Sequence, residues 1–179
     1  MRIISGIHGG RRINPPAKMP YTRPTTDIAK EGLFNILQNN LDIESLKVLD
    51  LFGGTGCISY EFASRGAAHI TVVEKDNRMH EFIKSTSVQL GFGNFSVVKT
   101  DVFRFIDTTT EKYDFIFAGP PYAMATIDEL PVKIIEKGLL NTAGWFVLEH
   151  TPRNDYKKFL QYRTERNYGT TIFSIFVNS

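Results

Sequence analysis

Asp50 stands directly ahead of the glycine run Gly53-Gly54-Thr55-Gly56, at a point where an apolar strand gives way to a helix. Glycines at such a turn let the backbone bend sharply and let a ligand approach it closely. Glu74 ends the next apolar strand, 18 residues past Gly56, where a carboxylate can accept hydrogen bonds from ribose hydroxyls. Asp101 follows a third strand and can accept from an adenine amino group, a role that competes with capping the helix behind it. Gly119-Pro120-Pro121-Tyr122 follows a fourth. Its prolines fix the backbone so that carbonyls project in set directions, and Tyr122 offers a flat face for stacking on a base. Each feature has a plainer alternative: a packed turn, a surface acid, a helix cap, or prolines punctuating a strand end.

The kind of cofactor follows from what the glycine turn lacks. A dinucleotide site wants a third small residue, in the pattern G-x-G-x-x-G/A, so that a helix N-terminus can hold a pyrophosphate. Gly54-x-Gly56-x-x-Ser59 fails at that position. Asp50 would also repel pyrophosphate, whereas it suits a ligand carrying an ammonium group and a sulfonium cation. S-adenosylmethionine fits better than NAD, and Phe52 and Val102 join Asp50, Gly53, Gly54, Gly56, Glu74 and Asp101 as expected contacts.

These residues need a scaffold that brings strand ends together. Apolar strands are expected at residues 47–52, 69–74, 95–99, 113–118 and 145–149, separated by helices at about 57–64, 75–90, 102–107 and 127–138. Strands alternating with helices imply a parallel, doubly wound α/β sheet. Residues 162–167 and 171–177 flank Tyr168-Gly169 and read as an antiparallel hairpin at the sheet edge. Ahead of this core, Thr25-Thr26-Asp27 supplies N-caps for a helix to about Gln38, with Ile28, Leu33, Phe34, Ile36 and Leu37 as its apolar positions. The first residues, Arg2-Ile3-Ile4-Ser5 and Arg11-Arg12-Ile13, can pair as a small β-hairpin around Gly6, Gly9 and Gly10. One domain is expected over 179 residues, with residues 1–26 as arm and connector and 27–179 as the core.

Composition narrows the function further. Apolar residues make up 42% and charged residues 22%, ordinary for a globular protein with a sizeable core. No apolar run is long enough to span a membrane, and the start lacks the apolar segment of a secretory signal, so a cytoplasmic, membrane-free protein is expected. Cys57 is the one cysteine, which excludes an intrachain disulfide and suits a core position. His8, His69, His80 and His150 show no ligand spacing, so no metal is expected. Residues 1–26 hold Arg2, Arg11, Arg12, Lys18 and Arg23 and no acid, whereas the other 153 residues hold 16 basic and 19 acidic side chains. A basic arm on a mildly acidic body points to a polyanionic partner, with Arg2, Arg11, Arg12 and Arg23 as candidate RNA contacts.

The chain resembles the RsmD-like guanine-N2 methyltransferases of bacterial small-subunit ribosomal RNA. The resemblance rests on Met1-Arg2-Ile3-Ile4-Ser5-Gly6, Gly10-Arg11-Arg12-Ile13, Arg23-Pro24-Thr25-Thr26-Asp27, Leu33-Phe34-Asn35-Ile36-Leu37, the Asp50–Gly56 loop, Ser64-Arg65-Gly66-Ala67 and Pro120-Pro121-Tyr122. It implies a class I methyltransferase sheet of Rossmann-like form, with an N-terminal hairpin that helps engage RNA. It also implies a glycine loop against the methionine part of S-adenosylmethionine, Glu74 on the ribose and Asp101 on the adenine. The implied partner is small-subunit ribosomal RNA or the assembling small subunit, and a monomer is expected.

One position departs from the family pattern. Gly119 stands where members usually carry Asp, whose side chain and the following proline carbonyl would hold the target amine; Gly119, Pro120, Pro121 and Tyr122 are therefore the candidate catalytic segment. Backbone carbonyls, water or a nearby acid could substitute, and Glu149 at the end of the fifth strand is such an acid, or else a structural carboxylate. Retained guanine-N2 methylation is the leading expectation. The alternatives are an RNA-binding or ribosome-assembly protein that keeps the fold without transferring methyl, and a DNA adenine-amine methyltransferase, for which the chain leaves little room.

Overall fold

The computed structural model describes residues 1–19 and 24–179. A seven-stranded sheet organises the chain, in the order β3-β2-β1-β4-β5-β7-β6. Its strands are β1 (Lys47–Asp50), β2 (His69–Val73), β3 (Phe95–Val98), β4 (Tyr113–Ala118), β5 (Leu140–His150), β6 (Tyr162–Tyr168) and β7 (Thr171–Val177). The first five run parallel; β7 pairs antiparallel with both β5 and β6. The helices are α1 (Asp27–Asn40), α2 (Cys57–Ser64), α3 (Asn77–Gln89), α4 (Val102–Thr108) and α5 (Glu129–Lys137).

Period-two alternation sorts the strand side chains into two buried layers. Val48, Ile70, Val72, Phe115, Phe117, Val147 and Phe173 pack with α1 and α2 residues such as Leu33, Phe34 and Phe62 on one face. Leu49, Val73, Ile116, Ala118, Phe146, Leu148 and Phe176 pack with Val102, Ile106, Leu130 and Ile134 on the other. Both faces are covered, which is why the central strands read as continuous apolar runs. The outer strand β6 exposes Arg163 and Arg166 along the sheet edge, where charge discourages pairing with another chain.

Three expectations change in detail. The fifth strand begins five residues earlier than its apolar run, at Leu140, because its pairing with β4 shifts register between Tyr113 and Phe115. Ala143 takes a positive φ of 62° at that irregularity, so the hydrophobic pattern resumes only at Trp145. The N-terminal hairpin is narrower than two strands. It has one antiparallel bridge, Arg2 to Arg12, supported by backbone hydrogen bonds from Ile3 to Arg11 and from Ile13 to Met1. Ile28, expected on the apolar face of α1, is 76% exposed, whereas Leu33, Phe34 and Leu37 are buried.

Candidate active site

Strand order reverses between β1 and β4, and the carboxyl ends of a parallel sheet open a crevice at such a point. The sequence delivers Asp50, Glu74, Asp101, Gly119 and Glu149 to this end, each at or just past the end of β1, β2, β3, β4 and β5 in turn. Asp50 shares its parity with Val48, and Gly119 and Glu149 share theirs with Phe117 and Val147. These three positions therefore face the α1–α2 side.

Asp50 is buried, at 1% exposure, and accepts hydrogen bonds from Ser59 Oγ at 2.7 Å and from the Phe52 N–H at 3.3 Å. Burial pushes its pKa up to about 7, and the charges of Glu74 and Glu149 push the same way. Ser59, the residue that breaks the dinucleotide pattern, thus holds the carboxylate that replaces it. A cation placed beside Asp50 would relieve the strain of a buried negative charge, so the site suits a positively charged ligand.

The glycine turn is held by neighbouring strands. Gly53 N–H donates to the Val73 carbonyl at 2.9 Å, and Gly54 N–H donates to Glu74 Oε2 at 2.8 Å. Glu74 Oε1 accepts from Asp76 N–H at 2.8 Å. A carboxylate offers about four acceptor sites, so these two amides orient Glu74 and leave capacity for ribose hydroxyls. Gly56 has φ +82°, and a Cβ there would meet the Tyr60 ring at 2.4 Å. Only glycine fits both the angle and the space.

Asp101 does cap a helix, accepting from Phe103 N–H at 2.9 Å and Arg104 N–H at 3.3 Å. Both bonds fall on Oδ1, so the cap does not engage Oδ2, and capping and ligand binding are compatible at one side chain. Val102 is buried behind it and Phe52 is half-buried beside the turn.

At the end of β4, the register Ala118 to Leu148 carries Gly119 alongside Glu149. Glu149 is 4% exposed; it accepts from Tyr122 Oη at 3.0 Å and from Thr25 Oγ1 at 2.6 Å. Tyr122 Oη also bonds Thr171 Oγ1 at 3.1 Å. The Pro120-Pro121-Tyr122 segment is therefore tied down by the tyrosine hydroxyl, with Pro120 buried and Pro121 exposed. Thr25 was expected to share capping of α1. The structure gives the cap to Thr26, which accepts from Ala29 N–H, and sends Thr25 to Glu149 instead.

Arg2 and Arg12, paired across the hairpin bridge, are both exposed, as is Arg11. Arg2 also meets Asp27 at 3.3 Å. The Asp27 carboxylate thus partly balances the Arg2 charge, while Arg11 and Arg12 present theirs to solvent. Arg23 lies outside the described residues. Cys57 is buried and its thiol pKa is pushed up to about 11 by burial, so it is a packing residue and not a nucleophile. Among the described residues, no cluster of three or more His, Cys, Asp or Glu could hold a metal ion. No helix there is long and apolar enough to cross a membrane.

Comparison with known proteins gives a consistent picture. The sequence model of a family described as conserved hypothetical protein 95 matches residues 1–177. Ribosomal RNA small subunit methyltransferase D of Escherichia coli is 32% identical over 149 residues, covering 83% of this chain and 71% of that protein. The protein of the same name from Buchnera aphidicola is 26% identical over 99% of this chain and 92% of its own. Among solved structures, an Escherichia coli protein provisionally named methyltransferase YhhF superposes with TM-score 0.87 at 26% identity, covering 99% of this chain and 97% of its own. A Thermus protein of hypothetical status superposes with TM-score 0.83 at 27% identity over 98% of each.

Proposed function

This chain belongs to the conserved hypothetical protein 95 family, the RsmD-like group, and from that premise we propose that it methylates small-subunit ribosomal RNA at a guanine N2 amine. The observation that carries this reading is the convergence of Asp50, Glu74, Asp101 and the Gly119-Pro120 step at the carboxyl ends of adjacent parallel strands. S-adenosylmethionine, when bound, supplies the methyl group as an electrophile on a cationic sulfur.

The chain's own residues do the rest. Asp50 places buried negative charge beside the glycine turn, where the cofactor's ammonium and sulfonium groups belong. Glu74, already oriented by two backbone amides, receives the ribose hydroxyls, and Asp101 Oδ2 receives the adenine amine. Tyr122, anchored through its hydroxyl, presents its ring to a base splayed out of the RNA. Arg2, Arg11 and Arg12 contact phosphates and set register without reading sequence.

The test compares methyl transfer from labelled S-adenosylmethionine to three polymers: small-subunit particles from cells lacking this protein, large-subunit particles, and duplex DNA. The reading expects label on the small-subunit RNA alone. Label on DNA adenine would replace it with the DNA-directed alternative.

A further inference from the structure

We infer that Glu149 is a catalytic residue: its carboxylate accepts a hydrogen bond from the target exocyclic amine, and Gly119 is the opening through which the amine reaches it. This rests on the amine-methylating reading above and adds to it the group that orients the nucleophile. An exocyclic purine amine is a poor nucleophile because its lone pair is delocalised into the ring. Acceptors that hold its N–H bonds turn the nitrogen toward the methyl carbon and stabilise the positive charge that develops on it.

Several independent observations put Glu149 in that role. The parallel register of β4 and β5 sets residue 149 beside residue 119, on the same face of the sheet. A Cβ built on Gly119 would stand 3.5 Å from Glu149 Oε2 and 3.0 Å from Phe117 Cε1. The glycine thus puts no side chain between its own backbone and the Glu149 carboxylate, and the space a Cβ would take lies within contact of Oε2. Glu149 and Asp50 both stand at the carboxyl ends of their strands, and the Glu149 charge acts with burial to raise the Asp50 pKa. Finally, Thr25 and Tyr122 donate to different oxygens of Glu149, which fixes the plane of the carboxylate. Tyr122 belongs to the segment that follows Gly119, so its hydrogen bond to Glu149 couples the acceptor to the base-stacking face.

The step then balances as follows. The amine nitrogen forms the new N–C bond as the methyl C–S bond breaks, leaving its electron pair on sulfur. One N–H proton passes from the nitrogen to the Glu149 carboxylate and from there to water. No other co-reactant is needed.

The experiment measures kcat, KM and dissociation constants for S-adenosylmethionine and for small-subunit particles. It compares wild type, Glu149→Gln, Glu149→Ala, Gly119→Asp and the double variant Glu149→Ala/Gly119→Asp. Glu149→Gln preserves shape but replaces one accepting oxygen by a donor, and its kcat is expected to fall about 100-fold with both dissociation constants unchanged within about twofold. Gly119→Asp alone gives no gain, because it sets a second carboxylate against the first. In the Glu149→Ala background the same Asp restores an acceptor and raises kcat at least about tenfold, which a purely structural role for Glu149 would not produce. Glu149→Gln turning over like wild type overturns the inference. So does a loss of kcat matched by loss of both affinities and not repaired by Asp at 119. Wild type that binds cofactor and particles yet transfers no methyl overturns the parent reading, and the inference with it, before any variant is scored.

Discussion

The Lys30 ammonium lies 3.4 Å from the Glu61 carboxylate, and the two side chains are 1% and 0% exposed. Both also bind the backbone of the N-terminal arm. Lys30 donates to the Arg2 carbonyl, while Glu61 accepts from Ile4 N–H at 2.8 Å and Ser5 N–H at 3.0 Å. Arg65 completes the cluster with a 2.8 Å bond to Glu61. The basic arm is therefore clasped to α1 and α2 by a buried ion pair and has a fixed place relative to the crevice.

Breaking this clasp is expected to be expensive. Glu61→Ala leaves the Lys30 charge buried without its partner, a change that typically costs about 3–5 kcal/mol. Chemical denaturation should show that loss, and hydrogen exchange should show Ile4 and Ser5 amides becoming unprotected. A stability within about 1 kcal/mol of wild type would mean the pair is not what fixes the arm.

Cofactor affinity is expected to depend on pH through Asp50. Its pKa stands at about 7 in the folded protein against 3.8 for the free side chain. The contribution to stability is therefore fully present below about pH 3.8 and is lost as pH rises through about 7. A bound cation reverses that preference by favouring the carboxylate, so binding releases a proton when the pH is below about 7. Calorimetry should find the dissociation constant for S-adenosylmethionine rising up to about tenfold per pH unit below that point. Asp50→Asn should weaken binding and flatten the pH dependence; an unchanged slope would remove Asp50 from the site.

The hairpin arginines should reveal themselves through salt. Replacing Arg11 and Arg12 by Ala should weaken binding to small-subunit RNA and lower the slope of log affinity against log salt by about 1–2, as two phosphate contacts are lost. An unchanged slope would place the RNA elsewhere on the surface.

Two glycines with similar positive φ should respond differently to alanine. Gly91 has φ +73° with nothing near a new Cβ, so Gly91→Ala should cost about 1 kcal/mol from the backbone alone. Gly56→Ala adds a collision with the Tyr60 ring, and the turn must move. A larger loss of stability together with weakened cofactor binding is expected for Gly56→Ala only. Equal effects on both properties would mean the glycine turn does not shape the cofactor site.

Much of this site can be read directly from residue types. Helix α2 and strand β4 coincide with their expected limits, since glycines or charged residues bound each apolar run. Asp50, Glu74, Asp101 and Gly119 arrive at one end of the sheet because alternating strands and helices leave only that arrangement. The partnerships around Glu149 and the N-terminal arm come from distant parts of the chain. Thr25 reaching Glu149 and Lys30 meeting Glu61 depend on how α1 packs over the sheet, and Tyr122 reaching Thr171 depends on β7 lying beside β5. Ser59 was visible only as a defect in a glycine pattern, and its hydrogen bond to Asp50 gives that defect a function. The early start of β5 was hidden by an irregularity at Ala143 that interrupts the alternation.

The most direct test of the central claim is nucleoside analysis of the product. Small-subunit particles from cells lacking this protein would be incubated with it and labelled S-adenosylmethionine, then digested and resolved by mass spectrometry. The label is expected in N2-methylguanosine. No incorporation, with cofactor binding intact, would contradict the account and leave an RNA-binding protein that retains the fold without the reaction.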